Sequence, residues 1–253
     1  MRLPSVQDRK AGPLWARAQS YEGEGEHAQA VVFYRQLTRH YPRSNFCGKA
    51  EQRIFDILEN ILYNREELVK ECRWWIKKFP RQKNIPEILY KLGRTESSFF
   101  LNFPSAEEAY QKIVQKYPQS EYKNKALIGL SDLCYRESRW RELIDLNKQI
   151  LKDEEIQEKE RDWLRFQNGC AYCRLKNYQQ AKEEFSQVSN TRMLEECLDY
   201  YRAEVEVAPQ SPEAHQGLGD FYARQKNFRL AHQCWKRASD LRTRAGVAPL
   251  TPE

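Results

Sequence analysis

Small and aliphatic residues return along this chain with a period close to 38. Ala30, Leu68, Ala106, Leu143, Ala181 and Ala231 mark it, with gaps of 38, 38, 37, 38 and 50. Three positions before them stand His27, Arg65, Phe103, Trp140, Tyr178 and Phe228. Four positions after them stand Tyr34, Cys72, Tyr110, Asn147, Phe185 and Trp235. Steps of three and four place each trio on one face of a helix. Pro42, Pro80 and Pro118 keep the same beat. A fixed period of this length predicts stacked helical hairpins that bury their faces against their neighbours, not one globular core.

Each period reads as two helices, A and B. The last is the clearest. Ser211-Pro212-Glu213 opens a helix, with a capping serine and a proline in the first turn. Leu218, Gly219 and Tyr222 share a face of helix A, and Lys226-Asn227 makes the turn. Phe228, Ala231, Trp235 and Ala238 line helix B. The second and third units show blurred helix A registers. The run Phe99-Phe-Leu-Asn-Phe103 falls at a helix–helix turn, where it is either packed or exposed. The 50-residue gap holds one added helix, with Leu194, Leu198, Tyr201 and Val205 at spacings of 4, 3 and 4. The expected organisation is a lead segment at 1–10, five helix pairs over 11–190, an unpaired helix at 191–208, a final pair at 209–245 and a disordered tail at 246–253.

Three stretches align without a gap: Gly129 to Trp140, Gln167 to Tyr178 and Gly217 to Phe228. On these residues the chain resembles a tetratricopeptide-repeat protein, with about six repeats. The resemblance implies an all-α, right-handed superhelical solenoid of antiparallel helix pairs. It also implies a non-catalytic scaffold that binds a protein or peptide partner in the groove lined by helices A. The joins Tyr41-Pro-Arg-Ser44 and Tyr117-Pro-Gln-Ser120 are similar to those of a bacterial envelope subgroup. That subgroup includes outer-membrane assembly lipoproteins and Tol–Pal-associated coordinators.

Composition narrows the setting. The chain carries 42 basic and 36 acidic residues, largely interleaved as on solvated helix faces. Asp153 to Asp162 leans acidic, and a run such as Asp153-Glu-Glu155 reads as a solvated helix face. The net charge of +6 permits nucleic-acid or anionic-surface binding through Arg65–Lys83 without demanding it, and nucleic acid is an unfavoured partner. Seven cysteines at mostly apolar positions suit reduced thiols. With no signal-peptide core and no apolar run of membrane-spanning length, the expected compartment is the cytoplasm.

Candidate chemistry is sparse. Cys170 and Cys173 form the only CxxC, with no second pair of metal ligands beside it, so two packed thiols are expected. Gly217-Leu-Gly219 lacks the strand and the Lys-Ser/Thr of a phosphate loop, and helix packing explains it. Trp75 is expected in the core and Trp74 could be exposed. No nucleophile–base pair assembles, so no catalysis, cofactor or metal is expected. The two-Asn carboxylate clamp of chaperone-binding repeats is absent, because Leu130 and Leu218 flank Asn168 in the alignment. Arg136, Arg174 and Arg224 share one place in three aligned helices A. They serve either the helix dipoles or a ladder for carboxylates and phosphates. The candidate groove residues are Lys125, Asp132, Tyr135, Arg136, Cys170, Arg174, Asp220 and Arg224. A homo-oligomer through the C-terminal face near Leu230, Cys234 and Leu241 is a further expectation.

Overall fold

The structure, a computed structural model, describes residues 5–175, 177–189 and 191–244, and all of their side chains except those at 178, 191–197 and 224. The expected tail and the Arg224 side chain lie outside the described residues. The described residues form α-helices with no strand. Contacts divide the chain into residues 1–123 and residues 124–253.

The first unit holds α1 (Val6–Gly23), α2 (His27–His40), α3 (Cys47–Asp56), α4 (Arg65–Lys78), α5 (Ile85–Thr95) and α6 (Phe103–Lys116). The second continues with α7 (Tyr122–Arg136), α8 (Trp140–Ile150), α9 (Glu158–Arg174), α10 (Tyr178–Ser186), α11 (Thr191–Val207), α12 (Pro212–Arg224) and α13 (Phe228–Arg244). Helix α1 starts before the expected boundary at 11, because Ser5 and Asp8 form a capping box. The Asp8 carboxylate also accepts Asn45 N–H at 2.7 Å. Helix α11 packs on α9, α10 and α12.

One packing rule recurs. The small or aliphatic residue of helix B is buried in every repeat. In three repeats a large ring four positions on lies against a glycine of helix A. A Cβ on Gly93 would meet the Tyr110 ring at 2.6 Å, on Gly169 the Phe185 ring at 2.3 Å, and on Gly219 the Trp235 ring at 2.5 Å. The turn between helices is also shared. Gly25, Tyr63, Leu101, Ser138 and Lys226, each five residues before the marker residue, have φ between 50° and 79°. Only the first is the glycine that this conformation favours.

Two repeats add a device of their own. Helices α3 and α5 end in π turns, Ile57–Ile61 and Glu96–Phe100. The Gly93–Tyr110 pair is 17 residues apart, whereas Gly169–Phe185 and Gly219–Trp235 are 16 apart. The π turn takes up the added residue. The joins between repeats are equally regular. Tyr41, Phe79 and Tyr117 share φ near −130° and ψ near 50°. Their carbonyls accept N–H groups of Ser44, Gln82 and Ser120 three residues on.

Polar groups cross between repeats in both units. In the first, Arg53 grips Glu22, Arg35 pairs with Glu67 and Glu71, Arg73 with Glu96, and Lys91 and Arg94 with Glu59. Glu51 accepts from Asn84 Nδ2 at 2.6 Å. Glu51, Glu59, Glu71 and Glu96 are buried. The interleaved charges are therefore not all solvated faces. The Asp153-Glu-Glu155 run lies in the turn between α8 and α9 and not on a helix face, and Asp162 is buried and accepts Ser189 N–H and Oγ–H.

Candidate partner-binding face

In the second unit α7, α9 and α11 enclose an open pocket of about 490 Å³. Tyr135, Phe166, Cys173, Arg174, Tyr200 and Glu204 line it, with Asp199, Ala203 and Val207 at α11. Each side chain is placed by ordinary helix geometry. Phe166, Cys173 and Arg174 come from the C-terminal half of α9. Tyr200, Glu204 and Val207 stand at i, i+4 and i+7 of α11. The Phe166 and Tyr200 rings lie 6.5 Å apart at 76°, two walls near a right angle. Beneath them the hydroxyls of Tyr135 and Tyr200 meet the Cys170 thiol. Burial pushes the Tyr135 phenol up to about 12 and the Cys173 thiol up to about 12. Both are neutral near pH 7, and Cys173 is a poor nucleophile there.

The structure separates the sequence candidates. Tyr135 and Arg174 meet at this pocket, and Arg174 is exposed. Cys170 is 1% exposed and belongs to the core under the floor. Asp132 accepts Trp163 Nε1–H at 2.8 Å and Gln167 Nε2–H at 2.7 Å. Asp220 accepts from Lys182, Gln216 and Trp235 Nε1. These two carboxylates are structural acceptors tying helices together. Arg136 is exposed beside Asp132, and Lys125 is exposed at the start of α7. Neither lines the pocket. Sequence reading missed Tyr200 and Glu204. Their signal was available, because they flank the apolar stripe of the added helix at i, i+4.

In the first unit the two π-turn tips project apolar side chains. Ile61, Leu62, Tyr63, Phe99, Phe100 and Leu101 are exposed, Leu101 by 62% and Phe99 by 57%. The Arg65 guanidinium bridges the tips, 4.6 Å from the Phe99 ring centroid and 5.7 Å from that of Tyr63. The 99–103 run is thus exposed over its first four residues, and Phe103 is half-buried. Trp75 is fully buried, and Trp74 is half-buried with the Arg39 guanidinium 5.3 Å from its ring. In the last helix Leu241 is buried, while Leu230 and Cys234 are half-buried. Among the described residues no group of three or more His, Cys, Asp or Glu could hold a metal ion. No helix among them is long and apolar enough to cross a membrane.

Antiparallel helix pairs stacked through a repeated small-against-ring contact define a helical-repeat protein. The family model of the tetratricopeptide repeat matches residues 14–44 and 87–120. Those two stretches carry tetratricopeptide repeats, and the chain shares the fold of a tetratricopeptide-repeat protein. The match is to the repeat and does not extend to the envelope-assembly subgroup. No curated protein matches the sequence. Among solved structures, a tetratricopeptide repeat protein from Parabacteroides merdae ATCC 43184 is similar at 13% identity and TM-score 0.57. That alignment covers 92% of this chain and 93% of the other. The human IFIT1 dimer with PPP-AAAA is similar at 14% identity and TM-score 0.56, covering 88% of this chain and 53% of that one. MamA 41-end from Desulfovibrio magneticus RS-1 is 15% identical with TM-score 0.47, covering 78% and 95%.

Proposed function

We propose that this protein is a non-catalytic interaction scaffold that holds a peptide segment of a protein partner on the face made by α7, α9 and α11. The observation that carries this reading is the open pocket of about 490 Å³, within the usual range of ligand sites. Its rings are fixed by packing, so little ordering cost accompanies binding. Ala203, exposed on the pocket wall, offers a test that changes no charge. Ala203→Trp should fill the pocket and abolish capture of the partner from native extract, read by mass spectrometry against wild type. Stability should move by less than about 0.5 kcal/mol, as for other surface changes. Undiminished capture by the filled variant would remove this face from the function.

Self-association is the second reading, and the exposed tips of the first unit favour it. Tyr63→Ser with Phe99→Ser should then lower the sedimentation-derived mass at high concentration. An unchanged monomeric wild type would end that reading.

A further inference from the structure

We propose that the pocket receives a lysine or arginine side chain of the bound segment, its cation set against Glu204 and the rings of Tyr135, Phe166 and Tyr200. This rests on the reading that the α7–α9–α11 face binds peptide, and it reverses the charge preference expected from the arginine ladder.

Three observations carry it. The first is the state of Glu204. Its side chain is half-buried and, among the described residues, makes no hydrogen bond or ion pair. The cations near it are already committed. Lys182 pairs with Asp220 at 2.9 Å. Arg202 lies 3.7 Å from Asp199 and donates to the Tyr222 hydroxyl at 3.3 Å. A half-buried carboxylate without a partner is unfavourable, and an incoming cation relieves that cost. Burial holds the Glu204 carboxyl above the usual carboxylate range, with Lys182 opposing weakly, as expected of a group whose counter-ion is missing.

The second is the balance of the lining, with the carboxylates of Asp199 and Glu204 against one guanidinium, Arg174. An anionic group placed beside Glu204 would meet like charge. A cation placed there would keep Arg174 exposed and solvated, free to take a backbone carbonyl or an acidic neighbour in the same segment. The third is the set of rings. Phe166 and Tyr200 stand nearly perpendicular, and the Tyr135 hydroxyl is occupied by Tyr200 and Cys170. What these side chains offer the pocket is ring surface, which attracts cations. Ammonium and guanidinium groups on flexible apolar stems suit both the rings and the buried carboxylate.

The test uses the full chain, labelled with ¹⁵N, and four blocked pentapeptides with two glycines on each side of arginine, lysine, glutamate or leucine. The arginine and lysine peptides should move the amide signals of residues 173–174 and 199–207, and the leucine peptide should bind at least about tenfold more weakly. Glu204→Gln should weaken the arginine peptide about tenfold without lowering the melting temperature. Unchanged arginine binding in that variant overturns the proposal. So does a glutamate peptide that moves the same signals and is lost in Arg174→Glu; peptide binding at this face would then stand with the opposite charge. Silence of these signals with all four peptides would end both the cation proposal and the peptide reading of the face.

Discussion

In residues 1–123 the polar groups that cross between repeats are mostly charged, whereas in residues 124–253 the buried ones are mostly amides and hydroxyls. The first unit sinks Glu71, Glu59 and Glu96 beneath arginines and a lysine of neighbouring helices. The second threads a chain of amides and a hydroxyl through α7 to α10, ending on a carboxylate. Ser131 Oγ lies against Asn147 Oδ1 and Gln167 Oε1, Asn147 Nδ2 donates to Asn168 Oδ1 at 3.0 Å, and Asn168 Nδ2 donates to Glu184 at 3.1 Å. Asn147 occupies the position where other repeats carry Tyr110, Phe185 or Trp235. One geometric problem, holding one repeat on the next, has an ionic answer and an amide answer. An ion pair demands both partners because a lone buried charge is costly. An amide network degrades by single bonds. The two units should therefore fail differently.

The largest effect is expected from Arg35→Met. It strips the near partner from Glu71, which is 1% exposed, and should cost about 3–5 kcal/mol in urea denaturation. A loss below about 1 kcal/mol would place this pair with ordinary surface pairs. Next is Glu51, pushed up to about 7 by burial against the Asn84 hydrogen bond, with Glu87 and Glu71 adding repulsion. Between its ordinary 4.5 and 7 the native state holds a proton that the unfolded chain has released. Stability therefore falls as pH rises through that window and is flat above it. Glu51→Gln should remove about 3 kcal/mol of this pH dependence, measured as the gap between variant and wild-type stability at pH 4.5 and 7.5. A constant gap would show that Glu51 is not the titrating group.

In the second unit the effects should be smaller and independent of pH. Gly169→Ala drives a methyl to 2.3 Å from the Phe185 ring and should cost about 1–3 kcal/mol, recovered in part by adding Phe185→Leu. No recovery in the double variant would mean that the strain lies elsewhere. Ser131→Ala should cost about 1 kcal/mol, since Asn147 and Gln167 each lose one neighbour and keep others. A cost near that of Arg35→Met would erase the distinction between the units.

The period and the helix pairs were legible because the pattern that marks them recurs at steps of three and four residues in each repeat. The blurred registers of the second and third units have a physical cause. Their helices A end in π turns, so a strict α-helical spacing drifts out of step there. The buried glutamates were illegible for another reason. Their partners lie 23 to 36 residues away in the sequence, as with Glu96 to Arg73 and Glu71 to Arg35, and local patterning cannot distinguish them from solvated charges. At the candidate site Tyr135 and Arg174 were found from the alignment of helices A. Glu204 and Tyr200 were not, because α11 has no counterpart in the repeat to align it with.

The π turns bear on how such an array can change length over its history. A residue gained inside a helix normally rotates everything after it by about 100°, scrambling the buried face. Here the gain is confined to the last turn of helix A. Leu101 still takes the left-handed turn five residues before Ala106, and Tyr110 still meets Gly93. The downstream repeat does not register the insertion. The surplus instead surfaces at the hairpin tip as Phe99, Phe100 and Leu101. Lineages of this chain should therefore differ by single residues at these tips more readily than within α4 or α6, each difference lengthening or shortening an apolar tip while the packing beneath it stays in frame.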